Sequence, residues 1–255
     1  GAIGTFSGNI SAWNWRRHDN SCDTLMFLYD SSNRLIKAAT LDNGVATNRF
    51  SENNITYDRN GNILTLKRYG SGYLKQNISN SYLGNRLSGC IYDSNGNITY
   101  DAASGLSMQW NPLNLIKKVS DSIGVLINYS YLADGTKVRA VDADGEGLEY
   151  RGSLTFRRSS DGTLTPESIA FSGGRIVAVT GSGGAVSFVA NHHVTDHLGS
   201  VRAVVDGSTG QVVETNDYYA FGGRWDRSGS LVDQSNRYRY NGKEEQATFG
   251  TPYSD

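Results

Sequence analysis

"ITYDRNGNI", Ile55 to Ile63, and "CIYDSNGNITYD", Cys90 to Asp101, repeat one word at two places in the chain. Each copy has an aromatic, an aspartate, a polar turn around Asn-Gly, and an apolar residue that opens the next run. In "YDRNGN", Asp58 can accept hydrogen bonds from backbone amides inside the turn. Gly61 can take the left-handed conformation that closes a type I turn with a bulge. Ile63 then starts a return strand. Period-two alternation puts Ile55 and Tyr57 on one face and Thr56 and Asp58 on the other. One such hairpin cannot bury its aromatic face alone, whereas stacked neighbours can. The word therefore reads as a building element used in series.

Further copies extend the series. "FLYDSSNRLIKA" begins at Phe27, "MQWNPLNLIKKV" at Met108 and "YSYLADGTKVRAV" at Tyr129, and "SYLGNRL" from Ser81 is a shortened copy. Such self-similarity is the mark of a repeat architecture. The aromatics Tyr29, Tyr57, Tyr92, Trp110 and Tyr131 are read as inward packing anchors. Asp58 with Gly61, and Asp93 with Gly96, are read as the turn formers. "FSGGRIVAVTGSGGAVSFVANHHV", Phe171 to Val194, reads as two apolar strands around a glycine turn. "EEQATFG", Glu244 to Gly250, allows one helical turn. The fold class expected is all-β, built from stacked antiparallel hairpins in a curved or spiralling sheet.

Composition agrees with many short strands. The chain has 255 residues, with 30 Gly, 15 Tyr, 22 Asn and only 3 Pro. Gly and Asn supply turns with positive φ, and tyrosine and β-branched residues favour strands. Lys and Arg number 24 against 25 Asp and Glu, so the basic field that nucleic acid requires is missing. No apolar run reaches the 18 or so residues of a membrane helix, so no membrane insertion by this segment is expected. Cys22 and Cys90 make no disulfide framework, and the sequence leaves open whether they pair.

Beyond Val194 the text changes, and it carries a resemblance. "DHLGSVRAVVD", "DYYAFG" and "YRYNGKE" resemble the signature of the core segment associated with RHS repeats, and the earlier words resemble YD repeats. The residues that match are Asp196, His197, Gly199, Arg202, Tyr219, Phe221, Gly222, Tyr238, Tyr240, Gly242, Lys243 and Glu244. The resemblance implies YD-repeat hairpins over 1–150 and the core segment over 151–255, continuous with the same sheet. It also implies a structural, encapsulating shell in a secreted or cell-surface bacterial polypeptide, with a toxin-delivery or cell-contact role. The partners implied are the rest of that polypeptide, namely further repeats and a C-terminal effector. In some members the core segment is an aspartyl autoprotease. The aspartates of that activity are expected past Asp255, so no catalytic residue is carried over and the segment is not read as an enzyme.

Other constellations have structural readings. His192, His193, Asp196 and His197 suit a transition metal by composition but match no closed ligand spacing, so no metal and no cofactor is expected. "DRNGN" and "DSNGN" resemble the opening of a calcium loop, but the twelfth positions are Tyr69 and Ser104, which cannot supply the bidentate carboxylate. "GSGGAV" and "FGGRW" lack the phosphate-loop pattern. Ser200 sits in no nucleophile elbow. The aromatics of "YYAF" and "YRY", with Trp13, Trp15, Trp110 and Trp225, can form a sugar-stacking surface, which makes glycans an alternative partner, or can pack between strands. Strand edges left open would favour edge-to-edge self-association.

Overall fold

The structure is a computed structural model that describes residues 8–16, 22–181, 183–227, 231 and 236–245. Among these residues there is no α-helix; a single 3-10 turn occupies Tyr240–Gly242. The position of the expected helical turn after Glu245 lies outside the described residues. Everything else is antiparallel strand and turn, so the fold class is all-β.

The described residues form two compact units, each described by itself: those up to 88 together with 215–227 and 231, and those from 89 to 214 together with 236–245. The first holds a seven-stranded sheet that begins with Ala12–Arg16, Cys22–Tyr29 and Leu35–Asp42. It continues through Glu52–Tyr57, Ile63–Tyr69 and Leu74–Ser79, with the short Val45–Ala46 added beside Leu35–Asp42. Its core contains Leu25, Ala38, Phe50, Tyr219 and Trp225. A thirteen-stranded sheet runs in sequence order from Cys90–Tyr92 to Val212–Thr215 and passes position 150 without a break. Neither cysteine is in a disulfide.

One turn accounts for most of the hairpins. In a seven-residue word, the second residue donates its N–H to the sixth carbonyl, and the fifth donates back to the second carbonyl. In the Tyr57 word these are Asp58 to Asn62 at 3.0 Å and Gly61 to Asp58 at 3.3 Å. The pattern recurs with Asp30, Asp93, Asn111, Leu132, Asp142, Ser159, Gly181, Asp196, Tyr219 and Arg239 in second place. The fifth residue has positive φ each time: +90° at Gly61, +88° at Gly96, and 61° and 57° at Asn33 and Asn114. Glycine and asparagine tolerate that region best, which is why these positions read Gly or Asn.

The aspartate keeps the turn closed. Asp58 Oδ1 accepts from the N–H groups of Asn60 at 2.9 Å and Asn62 at 2.8 Å, and Oδ2 accepts from the Asn62 side-chain amide. Asp93 does the same with Asn95 and Asn97. Asn111 replaces it in the Trp110 word through Leu113 and Leu115. These are Asx turns, in which a side chain satisfies amides that the bend leaves without a strand partner.

Candidate functional site

In five words the first residue is an aromatic whose polar tip reaches the same kind of acceptor. The Tyr57 hydroxyl donates to the carbonyl of Leu35 at 2.6 Å, and the Tyr131 hydroxyl to that of Ile116 at 2.8 Å. Trp110 Nε1 donates to Ile98 at 2.7 Å, and Tyr82 to Ile63 at 3.1 Å. Each acceptor is the seventh residue of an earlier word. Tyr29 reaches Ile10 in the same manner at 2.9 Å. The rings are half-buried, so each one packs against its neighbours while its polar atom closes a rung between successive hairpins. Burial pushes the Tyr57 and Tyr131 hydroxyls up from the ordinary tyrosine value. Tyr92, also half-buried, pairs with Ile98 across the bulge of its own word.

The matched residues of the later part fall on the same turn. Asp196 accepts from the N–H of Leu198 and Ser200, both at 3.0 Å, and Gly199 has φ +80°. Thr195 pairs with Val201 across a bulge, so "TDHLGSV" is a word whose aromatic has become threonine. His197 is an exposed turn residue, off the strand that carries His192 and His193, and Arg202 lies half-buried on Val201–Asp206. Among the described residues no three His, Cys, Asp or Glu side chains converge as a metal site.

"YYAFGGR" and "YRYNGKE" keep the turn but leave the sheets. Tyr218 bridges Arg224 and Tyr238 bridges Glu244, in place of full strands. Gly222 and Gly242 hold the fifth position with φ +95° and +65°. The aspartate position is taken by Tyr219 in one and Arg239 in the other. Both segments are straps, each fixed to its own unit by a buried carboxylate.

In the first unit that carboxylate is Glu52, which is fully buried. It receives Arg68 at 2.7 and 2.8 Å and the Phe221 N–H at 3.4 Å. The Arg68 guanidinium lies 4.9 Å from the Tyr219 ring centre, and the Tyr219 hydroxyl donates to the Tyr69 carbonyl at 2.7 Å. Phe221 itself is exposed. Trp225 stacks on Phe50 with ring centres 4.7 Å apart, and Trp15 Nε1 donates to Asp217 at 3.0 Å. These indoles are packing groups, with Trp225 only 6% exposed. Burial pushes the Glu52 carboxyl up, against the pull of Arg68.

In the second unit the anchor is a charge network. Glu244 accepts from Lys137 Nζ at 2.7 Å, from the Tyr150 hydroxyl at 2.9 and 3.0 Å, and from Arg237 Nε at 3.1 Å. Glu167 holds Arg175 at 2.7 Å and Arg237 at 2.8 Å. Arg175 also covers the Tyr238 ring at 5.0 Å. Glu214, fully buried, takes Arg239 at 3.2 Å and Asn236 at 3.1 Å, and Arg239 further pairs with Glu245. Tyr240 and Lys243 form the turn, half-buried and exposed respectively. An open depression of about 240 Å³ beside this strap is lined by residues such as Phe171, Arg175, His193 and Tyr238.

Sequence reasoning located the strap motifs but missed Glu52, Arg68, Lys137, Tyr150, Glu167, Arg175 and Glu214. A Glu or Arg within a strand reads as a solvent-facing residue, and nothing in the local pattern announces a partner a hundred positions away.

No family model matches the chain, and no curated protein does. Solved structures do. TcdB2-TccC3 aligns with a TM-score of 0.56 at 17% identity, over 94% of this chain and 16% of that one. The fold is all-β and RHS-like. The Photorhabdus luminescens Tc holotoxin pore gives a TM-score of 0.55 at 17% identity, over 93% of this chain and 15% of that chain. TcdB2-TccC3 without its hypervariable C-terminal region gives 0.55 at 16%, over 94% and 15%. The chain thus spans about 15–16% of the length of the solved chains it matches. At this identity the likeness concerns the fold.

Proposed function

We propose that this chain is a structural β-shell segment of a secreted or cell-surface bacterial RHS-type polypeptide. The carrying observation is the rung, in which Tyr57, Trp110 and Tyr131 are each satisfied by the backbone of an earlier hairpin. A repeat built this way is stabilised by its neighbours and lends itself to long walls, where unit and interface terms add. The buried polar groups support the same reading. Glu52, Glu167 and Glu244 hold polypeptide, with Arg, Lys and Tyr as partners, and so serve closure of the fold. The structural neighbours are Tc toxin chains, one of them solved without a hypervariable C-terminal region, which favours a wall that accompanies a variable cargo. The partners are then the other repeats and the effector of the same polypeptide.

The test is electron microscopy of the natural polypeptide that contains this segment. The expected result is a closed compartment with these hairpins in its wall. A separate globular module attached outside any compartment would overturn the reading.

A further inference from the structure

The two straps are seated by different physics. The Tyr218–Arg224 turn and Trp225 bring Tyr219 and Trp225 into the apolar core with Leu25, Ala38 and Phe50. The Asn236–Glu245 strap contributes no residue to the buried apolar set. Besides backbone bonds such as Val201 N–H to the Arg239 carbonyl at 2.9 Å and Asn241 N–H to Ser200 Oγ at 3.0 Å, it is held by charges: Glu167, Glu214, Glu244 and Glu245 against Lys137, Arg175, Arg237 and Arg239. These eight groups balance. Tyr150 and Tyr238 are the neutral titratable groups that face Glu244, and Ser168 donates to Glu167 at 2.5 Å.

We propose that the Asn236–Glu245 strap is an acid-released latch, which leaves its sheet when Glu167 and Glu244 are neutralised while the Tyr218–Trp225 strap stays seated. Neutralisation would leave Lys137, Arg175 and Arg237 as neighbouring cations in a mostly buried site, and a buried ion that loses its partner destabilises strongly. In the first unit, Glu52 faces Arg68, Tyr57 and Tyr219. Its neutralisation leaves one cation there, and the apolar seat of Trp225 does not depend on it.

The proton affinities run in the same direction. Burial alone would raise Glu167 and Glu244. The nearby cations outweigh it, with Arg237 foremost at Glu167 and Lys137 at Glu244, and hold both carboxyls below the ordinary glutamate value. A depressed carboxyl contributes stability above its unfolded pKa and loses it as pH falls through the folded value. The window therefore lies below about pH 4.3. The Glu52 carboxyl is raised by burial rather than lowered, so protonating it takes no stability from the fold as pH falls. The latch is independent of the shell reading, since it concerns one strap and the sheet beneath it.

Hydrogen exchange of the full chain tests it. Glu244→Gln copies the neutral carboxyl at pH 7. The amides of Arg239, Gly242, Lys243 and Glu245, all in cross-turn or bridging bonds, should then exchange about tenfold faster or more. The amides of Tyr219, Gly222 and Trp225 should keep their protection. Lys137→Met combined with Glu244→Gln should recover part of the loss, because it also removes a stranded cation. Unchanged protection in Glu244→Gln, or equal loosening of both straps, would overturn the proposal. The parent chain gives a second reading between pH 7 and about pH 2.5, which spans the window below the ordinary glutamate value, corrected for intrinsic exchange. Loss confined at first to the 236–245 amides supports the latch, and simultaneous loss across both straps contradicts it.

Discussion

The Tyr57 hydroxyl donates to the carbonyl of Leu35 at 2.6 Å, and so ties the opening of one hairpin to the return strand of the hairpin before it. The same relation joins Tyr131 to Ile116. It explains why an aromatic with a polar tip stands at this position. Phenylalanine would pack as well but would leave the carbonyl without its donor.

Tyr57→Phe and Tyr131→Phe should each lower stability by about 0.5–1.5 kcal/mol, the net worth of one hydrogen bond. The two losses should add, because the residues share no partner. Urea unfolding measures this. Tyr100→Phe is the control: Tyr100 is 37% exposed, and its change should be close to neutral.

Two glycines should respond differently for a geometric reason. Gly61 has φ +90°, and nothing lies within 4 Å of the place a Cβ would take, so Gly61→Val suffers only the backbone conformation, about 1–3 kcal/mol. At Gly174 a Cβ would stand 2.1 Å from the Asn191 carbonyl oxygen. Gly174→Ala should therefore cost about 3 kcal/mol or more, as backbone must move. Thermal unfolding of both variants ranks them, and the opposite ranking would refute the geometry.

Glu52→Ala should destabilise the chain by about 3–5 kcal/mol, since it strands Arg68 in a mostly buried site. Glu52→Gln should cost less, because it still offers an oxygen to the Phe221 N–H. Denaturant midpoints of the two variants read the difference.

The turn aspartates predict a pH dependence. The Asn62 side-chain amide, with the backbone N–H groups of Asn62, Asn60 and Gly61, holds the Asp58 carboxyl below its usual range. Its contribution is present above the ordinary aspartate pKa and fades as pH falls through the folded value. The Tm gap between the parent chain and Asp58→Ala should narrow below about pH 4. A gap that stays constant down to pH 2 would show that the carboxylate charge plays no part.

The hairpins were legible because their determinants are local. An Asx turn and a positive-φ glycine lie within five residues of each other, so Tyr-Asp-x-Asn-Gly-Asn-Ile declares both its bend and its register. The straps were legible as motifs, yet their mode of attachment was not. Glu52 reaches Phe221, and Lys137 reaches Glu244, across more than a hundred positions. Such pairs follow from which strands lie side by side, which one sequence does not state. Only the fold reveals that Tyr219 and Arg239 stand where other words have aspartate and then help to hold the straps.

The central claim is that each hairpin is stabilised by the one before it. Residue-level hydrogen exchange on Tyr131→Ala tests this most directly. The account predicts faster exchange in the Leu132–Thr136 turn of the mutated word and also in the Asn111–Leu115 turn of the preceding word, whose exit carbonyl Tyr131 holds. Faster exchange confined to residues 132–136, with the preceding turn unchanged, would contradict it.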